Sequence, residues 1–104
     1  MKYEKLVRDR IPEVVKEKGE IPVTHIATDE EYWKKLREKL KEEVAEFLSR
    51  EDAEELADII EVVNAICDFK KIDRLRLEDL RKEKLKSKGG FGGRIVLDEI
   101  KINV

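Results

Sequence analysis

Two long stretches of the chain repeat apolar residues at the spacing of amphipathic helices. The first follows Thr28, which stands three residues before Glu31 and so predicts a capping box at the start of a helix that runs to about Ser49. The second follows Asp52, which forms another possible capping box with Glu55. The apolar positions are Trp33, Leu36, Leu40, Val44 and Phe47, then Leu56, Ile59, Ile60, Val63, Ile66 and Cys67. The short connection between the stretches predicts an antiparallel helical hairpin.

Weaker helical patterns flank this hairpin on both sides. Pro12 suits the first turn of a short helix that reaches about Lys18 and is ended by Gly19. On the other side, a more basic helix is expected over residues 74–86, where four leucines are interspersed with charged residues.

Two segments have the composition of strands. Residues 21–27 and 95–104 are rich in isoleucine and valine, which favours a small hairpin or a pairing between them. With 104 residues the chain is the size of one domain. We therefore predict a single, mainly α domain over residues 1–104: an antiparallel helical bundle with a small β element from 21–27 and the C-terminal segment.

Charge is abundant and unevenly distributed. Charged residues make up 46% of the chain, but the net charge is −2, so no overall field argues for nucleic-acid binding. Residues 42–68 hold ten acids and one base, whereas residues 70–94 hold ten bases and four acids. Such runs usually solvate a surface, and the same distribution is expected of a metal site beside a phosphate site.

The sequence also limits the compartment and the kinds of site. Cys67 is the single cysteine, which excludes an intrachain disulfide and a cysteine-based zinc site. The first residues lack the apolar run of a signal peptide, and no stretch approaches the roughly 18 apolar residues of a membrane span. We expect a cytoplasmic protein that binds neither membrane nor nucleic acid.

Two pairs of acids border the apolar stripes. Glu43 and Glu46 are three residues apart, as are Glu55 and Asp58, so each pair projects from one side of its helix. In an antiparallel hairpin the pairs face each other, and four such carboxylates would repel strongly without a counter-charge. A divalent cation relieves that repulsion, and all-oxygen ligands select Mg²⁺ or Mn²⁺ over zinc. These acids therefore indicate a metal site that can also accept substrate phosphates.

A purely structural interpretation of the same acids stays open. Lys39 and Arg50 stand at helical pairing distance from Glu43 and Glu46, and Glu55 is placed to cap its own helix. Either acidic motif alone favours this interpretation, because acidic helices are common in so charged a chain. The two motifs together favour a metal.

A glycine-rich loop between Lys88 and Arg94 is a second candidate for chemistry. It holds four of the five glycines, whose backbone N–H groups can approach phosphate oxygens while the lysine and arginine neutralise charge. Its spacing matches neither a Walker A motif nor a dinucleotide fingerprint, and a flexible entry to the last strand explains it equally well. Phe91 could stack on a base or pack in the core. Asn64, a polar residue in the most apolar helix, could bind a nucleotide or a neighbouring backbone group.

Three segments, taken in order, resemble one enzyme family. Residues 42–46, EEVAE, followed by residues 55–58, ELAD, resemble the EExxE…ExxD signature of the MazG-like, all-α nucleoside triphosphate pyrophosphatases. Residues 5–12, KLVRDRIP, are similar to the KLVRDKIP motif of the house-cleaning branch predicted to act on noncanonical nucleotides. Residues 88–91, KGGF, are similar to the late RGGF segment of that branch. The eight residues between the two acidic motifs are fewer than is usual in the broader family.

The resemblance implies an oligomeric, Mg²⁺-dependent enzyme that cleaves a nucleoside triphosphate to the monophosphate and pyrophosphate. Carried over by position, the metal ligands would be Glu43, Glu46, Glu55 and Asp58. Glu42 would be a supporting acid, so that the catalytic set includes Glu42, Glu43 and Glu46. The expected phosphate or nucleotide contacts are Arg8, Asn64, Lys88, Phe91 and Arg94.

The oligomer and the rival functions complete these expectations. Helices with one wide apolar stripe in so small a chain favour a homo-oligomer, either a dimer or a tetramer. Phosphoribosyl-ATP pyrophosphohydrolase, a related helical enzyme, is one alternative function. A non-catalytic helical interaction module, with the carboxylates as surface charges, is another, and a nucleotide sensor that binds without cleaving is a third.

Overall fold

Helices account for all the regular secondary structure in the part of the chain that the computed structural model describes, residues 3–102. In order, they are α1 (Ile11–Glu17), α2 (Asp29–Arg50), α3 (Ala53–Lys70) and α4 (Arg74–Lys88). The prediction of a mainly α protein is therefore confirmed. None of these helices is both long and apolar enough to cross a lipid bilayer.

The hairpin of α2 and α3 forms at the expected place. Only Glu51 and Asp52 connect the two helices, which pack against each other. A connection this short between packed helices makes them antiparallel. Glu51 ends α2 in the left-handed region, with φ 55° and ψ 37°, and its N–H donates to the carbonyl of Phe47 at 2.7 Å.

The contacts between backbone segments divide the chain into two units. One unit ends at Lys71 and contains α1, α2 and α3, while the other begins at Ile72 and contains α4 and the tail. The interpretation of residues 1–104 as a single domain stays a prediction.

Local signals account for most helix ends. The N–H of Glu31 donates to the hydroxyl of Thr28 at 3.3 Å, which confirms Thr28 as the N-cap of α2. The Glu31 carboxylate, the other half of the predicted capping box, lies 2.8 Å from His25 Nε2. Gly19 follows α1 with φ 81°, a conformation that glycine adopts without strain, and it donates to the carbonyl of Lys16 at 2.9 Å. At α4, the carboxylate of Asp73 accepts the N–H of Leu75 at 2.8 Å.

The second predicted capping box does not form. Asp52 occupies the N-cap position of α3, but its side chain makes no capping hydrogen bond. Glu55, which would have reached back to the N–H of Asp52, is buried, with 4% of its surface exposed. Asp52 therefore marks the start of α3 as predicted, whereas the prediction of a reciprocal cap with Glu55 is wrong.

The small β element is not seen. Between residues 3 and 102 neither the segment 21–27 nor the segment 95–102 is assigned as strand, and residues 103–104 of that prediction lie outside the described part. The isoleucine, valine and leucine side chains of these segments are 72–96% exposed. A β-prone sequence needs a paired neighbour to satisfy its backbone groups, and composition alone cannot supply one.

The core of the hairpin is narrow. Leu36, Val62 and Cys67 are the buried apolar side chains among the described residues. Four other aliphatic side chains of the two helices are 39–69% exposed, and helical spacing in an antiparallel pair places them on one side of the hairpin. We call this side the aliphatic face; its members are Val44, Leu48, Leu56 and Ile60.

Candidate acidic site on the helical hairpin

The register of the hairpin brings the two acidic pairs to one level. Glu46 lies four residues before the end of α2, and Asp58 lies five residues after the start of α3. At 1.5 Å of rise per residue, Glu43, Glu46, Glu55 and Asp58 fall within about 8 Å along the helix axes. The short gap between the two motifs is therefore what a two-residue connection produces.

Glu43 and Glu55 are the buried charged residues of the described part, one on each helix. Lys39 Nζ lies 3.2 Å from Glu43 Oε1, and Arg50 Nε lies 3.6 Å from Glu55 Oε1. Glu43 Oε2 is buried and has no hydrogen-bond partner within residues 3–102. An unsatisfied buried polar group destabilises a fold by about 1–3 kcal/mol, so packing does not explain why this carboxylate is there.

The remaining acids lie on the opposite side of the hairpin from the aliphatic face. Helical spacing places Glu42, Glu46 and Asp58 there, and we call this side the acidic face. Lys5 Nζ lies 3.0 Å from Glu42 Oε1, and an Arg8 guanidinium nitrogen lies 2.8 Å from Asp58 Oδ1. The N-terminal segment therefore supplies one cation to each helix.

The charges of this site shift two pKa values. The hydrogen bond to Glu42 raises the pKa of Lys5 above its ordinary value of 10.5, and the charges of Glu42, Glu46 and Glu43 add to that effect against burial. Burial alone would raise the pKa of Glu42, but hydrogen bonds and charge from Lys5 and Lys39 lower it below 4.5. The Lys5 ammonium thus lies in the field of all three acids of the α2 motif.

Each of four acids has a basic partner. Glu42 is bound by Lys5 and by Lys39, Glu43 by Lys39, Glu55 by Arg50, and Asp58 by Arg8. The interpretation of these acids as purely structural predicts the pair of Lys39 with Glu43, which is confirmed. It placed Arg50 on Glu46, whereas Arg50 contacts Glu55 and Glu46 has no ion pair among residues 3–102.

The fit of these residues to a metal ion rests on one atom. No group of three or more His, Cys, Asp or Glu side chains in the described range is arranged to hold an ion. The buried, unpartnered Glu43 Oε2 nevertheless offers the oxygen ligand that a hard cation prefers. The basic partners are long side chains, and those of Arg8 and Arg50 are 57% and 72% exposed, so they are free to turn away. This single oxygen suits a hard cation such as Mg²⁺, while the binding of Mg²⁺ and the four-carboxylate ligand set both stay predictions.

The predicted nucleotide contacts are spread over both units. Asn64 is half-buried in α3, nine residues after Glu55, which places the two on opposite sides of the helix. In the second unit Lys88 ends α4, and Phe91 is 98% exposed. Arg94 has φ 57° and donates its N–H to the carbonyl of Phe91 at 3.1 Å, closing a turn. Their roles with a nucleotide stay predictions.

Sequence reasoning gave no role to Lys5. Its contact with Glu42 joins residues 37 positions apart, so helical spacing cannot reveal it. The sequence holds one weak signal for this role: Lys5 and Arg8 are basic residues of one short segment, and the two acidic motifs need basic partners.

Comparisons with known proteins add little to this site. A protein of Mycolicibacterium smegmatis, described as uncharacterized, is 56% identical over 41 residues, which cover 39% of this chain and 42% of that protein. The chain therefore matches less than half the length of that relative. No family model matches the chain. No solved structure matches it.

Proposed function

We propose that the protein is a cytoplasmic, Mg²⁺-dependent hydrolase of phosphoric anhydride bonds that cleaves a noncanonical nucleoside triphosphate or deoxynucleoside triphosphate to the monophosphate and pyrophosphate. The observation that carries the proposal is the burial of Glu43 and Glu55, one on each helix, with Glu43 Oε2 left unpartnered. Buried charge is costly and is concentrated at functional sites. The motif resemblance to the MazG-like family and its helical bundle supports the same proposal.

Each acid has a defined task in this proposal. Glu43, Glu46, Glu55 and Asp58 would hold Mg²⁺, which when bound supplies charge neutralisation at the phosphates. Lys39 holds Glu43 Oε1, so that Oε2 is the oxygen left to act as a ligand. Glu42 is held between Lys5 and Lys39 and supports the neighbouring ligands.

The reaction needs a base and a leaving group. Water attacks a phosphorus at the α–β linkage in line with the bond to pyrophosphate, which breaks as the new P–O bond forms. Glu42 is a poor base because its pKa is lowered by Lys5 and Lys39. We assign the proton of the attacking water to the Glu46 oxygen that would not be bound to Mg²⁺, because Glu46 has no ion pair within residues 3–102. Arg8, whose guanidinium lies 2.8 Å from Asp58 Oδ1, would neutralise part of the charge of the triphosphate.

A homo-oligomer is part of the proposal. The aliphatic face exposes four side chains on a hairpin whose core is narrow. Burial of such side chains against a second copy stabilises an assembly by about 25 cal/mol for each Å² of apolar surface removed from water. A dimer of hairpins would form a four-helix bundle and leave the acidic face on its outside.

One observation favours a second function, the non-catalytic interaction module. Four of the five acids are already neutralised by lysine or arginine, as expected of structural ion pairs. That function does not explain the unpartnered Glu43 Oε2, because an apolar side chain at this buried position would destabilise the fold less than a carboxylate does.

The deciding experiment is a screen for pyrophosphate release over ordinary and modified nucleoside triphosphates and phosphoribosyl-ATP, with Mg²⁺ and with chelator. We expect Mg²⁺-dependent release from at least one compound. Glu55→Gln should lower it by more than about a hundredfold, since even changes behind the metal ligands cost 10–100-fold. Glu54→Gln, at the exposed neighbouring position, is the matched control and should retain activity.

The outcomes separate the candidate functions. Release from phosphoribosyl-ATP alone would replace the proposed function with the alternative of a phosphoribosyl-ATP pyrophosphohydrolase. Nucleotide binding without release would indicate a sensor. No release and no Mg²⁺-dependent rise in melting temperature would leave the interaction module as the function.

A further inference from the structure

The segment of residues 4–8 lies across the hairpin and is fixed at both ends, and we call it the cationic strap. Lys5 contacts Glu42 on α2, and Arg8 contacts Asp58 on α3. The backbone carbonyl of Glu4 accepts a hydrogen bond from Lys35, also on α2. Glu4 has φ 48°, a left-handed conformation that few residues other than glycine adopt.

The strap bridges the two helices. Lys5 and Arg8 are three residues apart, and three residues of extended chain span about 10 Å. The axes of two packed helices are about the same distance apart. Because the two side chains end on different helices, both cations lie over the acidic face. The ammonium of Lys5 is close enough to Glu42, Glu43 and Glu46 for all three charges to act on it.

Asp58 can serve two cations. Its Oδ1 accepts the Arg8 guanidinium at 2.8 Å, and the same carboxylate is one of the four that the proposed function assigns to a divalent cation. Two positive charges at one carboxylate repel each other, so each lowers the affinity of the other. A guanidinium displaced from Asp58 keeps its planar set of donors, which matches phosphate oxygens in a bidentate fashion.

We propose that Arg8 exchanges partners, from Asp58 to the phosphate chain of the substrate, when a divalent cation binds at the acidic face. Before the cation binds, the strap thus neutralises acids on both helices. After it binds, the Arg8 guanidinium is free to bind phosphate oxygens beside the cation. This inference rests on the proposed function and adds an order of events to it. Lys5, held by Glu42 and by the charges of the whole α2 motif, stays in place as the anchor of the strap.

The test uses ligands that do not depend on the nature of the base: Mn²⁺ alone, and tripolyphosphate in the presence of Mn²⁺. Binding is measured by calorimetry on the full chain for wild type, Arg8→Gln, Arg8→Lys and Arg10→Gln. Arg10, exposed and two residues further on, is the matched control for the loss of one positive charge near the site.

The inference predicts opposite effects on the two ligands. Arg8→Gln should bind Mn²⁺ about fivefold more tightly, the upper range for an exposed ion pair. It should bind tripolyphosphate with Mn²⁺ about tenfold more weakly, as expected when one charge-assisted contact is lost. Arg8→Lys should recover part of both effects, and Arg10→Gln should show neither.

Failure of the inference differs from failure of the proposed function. If wild type binds Mn²⁺ and Arg8→Gln binds it with equal or lower affinity, the exchange of partners does not occur and Arg8 is a structural tie. If neither wild type nor Arg8→Gln binds Mn²⁺, and no nucleotide releases pyrophosphate, the metal site itself is absent and both proposals fall.

Discussion

The indole of Trp33 and the ring of Phe69 stack nearly in parallel, with centroids 5.9 Å apart and planes 7° apart. Trp33 lies near the start of α2 and Phe69 near the end of α3, so the stack closes the end of the hairpin opposite the connection. Tyr32 meets Phe69 edge-on at 5.3 Å, and Lys70 Nζ lies 4.1 Å from the centre of the Trp33 ring. These contacts hold together two helix ends that the sequence leaves far apart.

Phe69→Ala should therefore destabilise the hairpin by about 2 kcal/mol, less than the 3–5 kcal/mol of a fully buried phenylalanine because Phe69 is half-buried. Urea unfolding can be followed through Trp33, the only tryptophan. Phe91→Ala, at a fully exposed phenylalanine, should change the free energy of unfolding by less than about 0.5 kcal/mol. Equal effects of the two substitutions would contradict a role for the stack.

Glu51→Gly should stabilise the protein by about 0.5–1 kcal/mol. Glu51 adopts the left-handed conformation at the end of α2, where glycine has no Cβ to cause strain, although it also adds entropy to the unfolded chain. Thermal unfolding of Glu51→Gly and Glu51→Ala decides the matter, because alanine keeps the strain. A gain from alanine as large as that from glycine would show that the glutamate charge, and not the backbone, is at fault.

Glu43→Met should raise the free energy of unfolding by about 1 kcal/mol in the presence of chelator, since it removes a buried charge with an unpartnered oxygen. The same variant should lose any Mg²⁺-dependent rise in melting temperature. Glu61→Met, at an exposed glutamate of α3, should leave both quantities unchanged. A large loss of stability in Glu43→Met would instead mean that its ion pair with Lys39 is structural.

Leu48→Glu should weaken the proposed dimer more than tenfold, because it places a charge on the aliphatic face at its most exposed side chain. Light scattering after size-exclusion chromatography, over a range of concentrations, measures the mass of the wild type and the variant. Ser49→Glu adds the same charge at the next position of α2, away from that face, and should keep the wild-type mass. A monomeric wild type would remove this part of the proposal.

Arg81→Gln should raise the pKa of Glu78 towards its ordinary value of 4.5. In α4 the hydrogen bonds from Arg81, whose Nε lies 3.0 Å from Glu78 Oε2, hold that pKa below 4.5. A lowered carboxyl pKa means that the pair stabilises the fold above pH 4.5 and that this contribution is lost as the pH falls through the lowered value. NMR titration of the Glu78 carboxyl measures the shift, and Lys82→Gln, which removes only a nearby charge, should raise the pKa less.

Local chemistry made part of this fold predictable. The cap at Thr28, the glycine after α1 and the apolar stripes of α2 and α3 are signals within one or two helical turns, and the helices follow them. The segment 21–27 could not be judged in the same way, because a strand exists only with a partner. The contacts of Lys5 and Arg8 span 37 and 50 residues, so the path of the chain, which no spacing rule encodes, determines them.

The connection formed by Glu51 and Asp52 also helps to determine which side chains of the two acidic motifs face each other. A longer connection would let α3 slide or turn against α2, and a turn by one helical position is about 100°. Glu55 would then leave the helix contact and Asp58 would rotate away from Arg8, while every side chain of both motifs stayed the same. In this protein the length of the two-residue loop therefore shapes the site together with the acids, so a natural variant with a longer loop needs a compensating change at the start of α3 to bring the same five acids together.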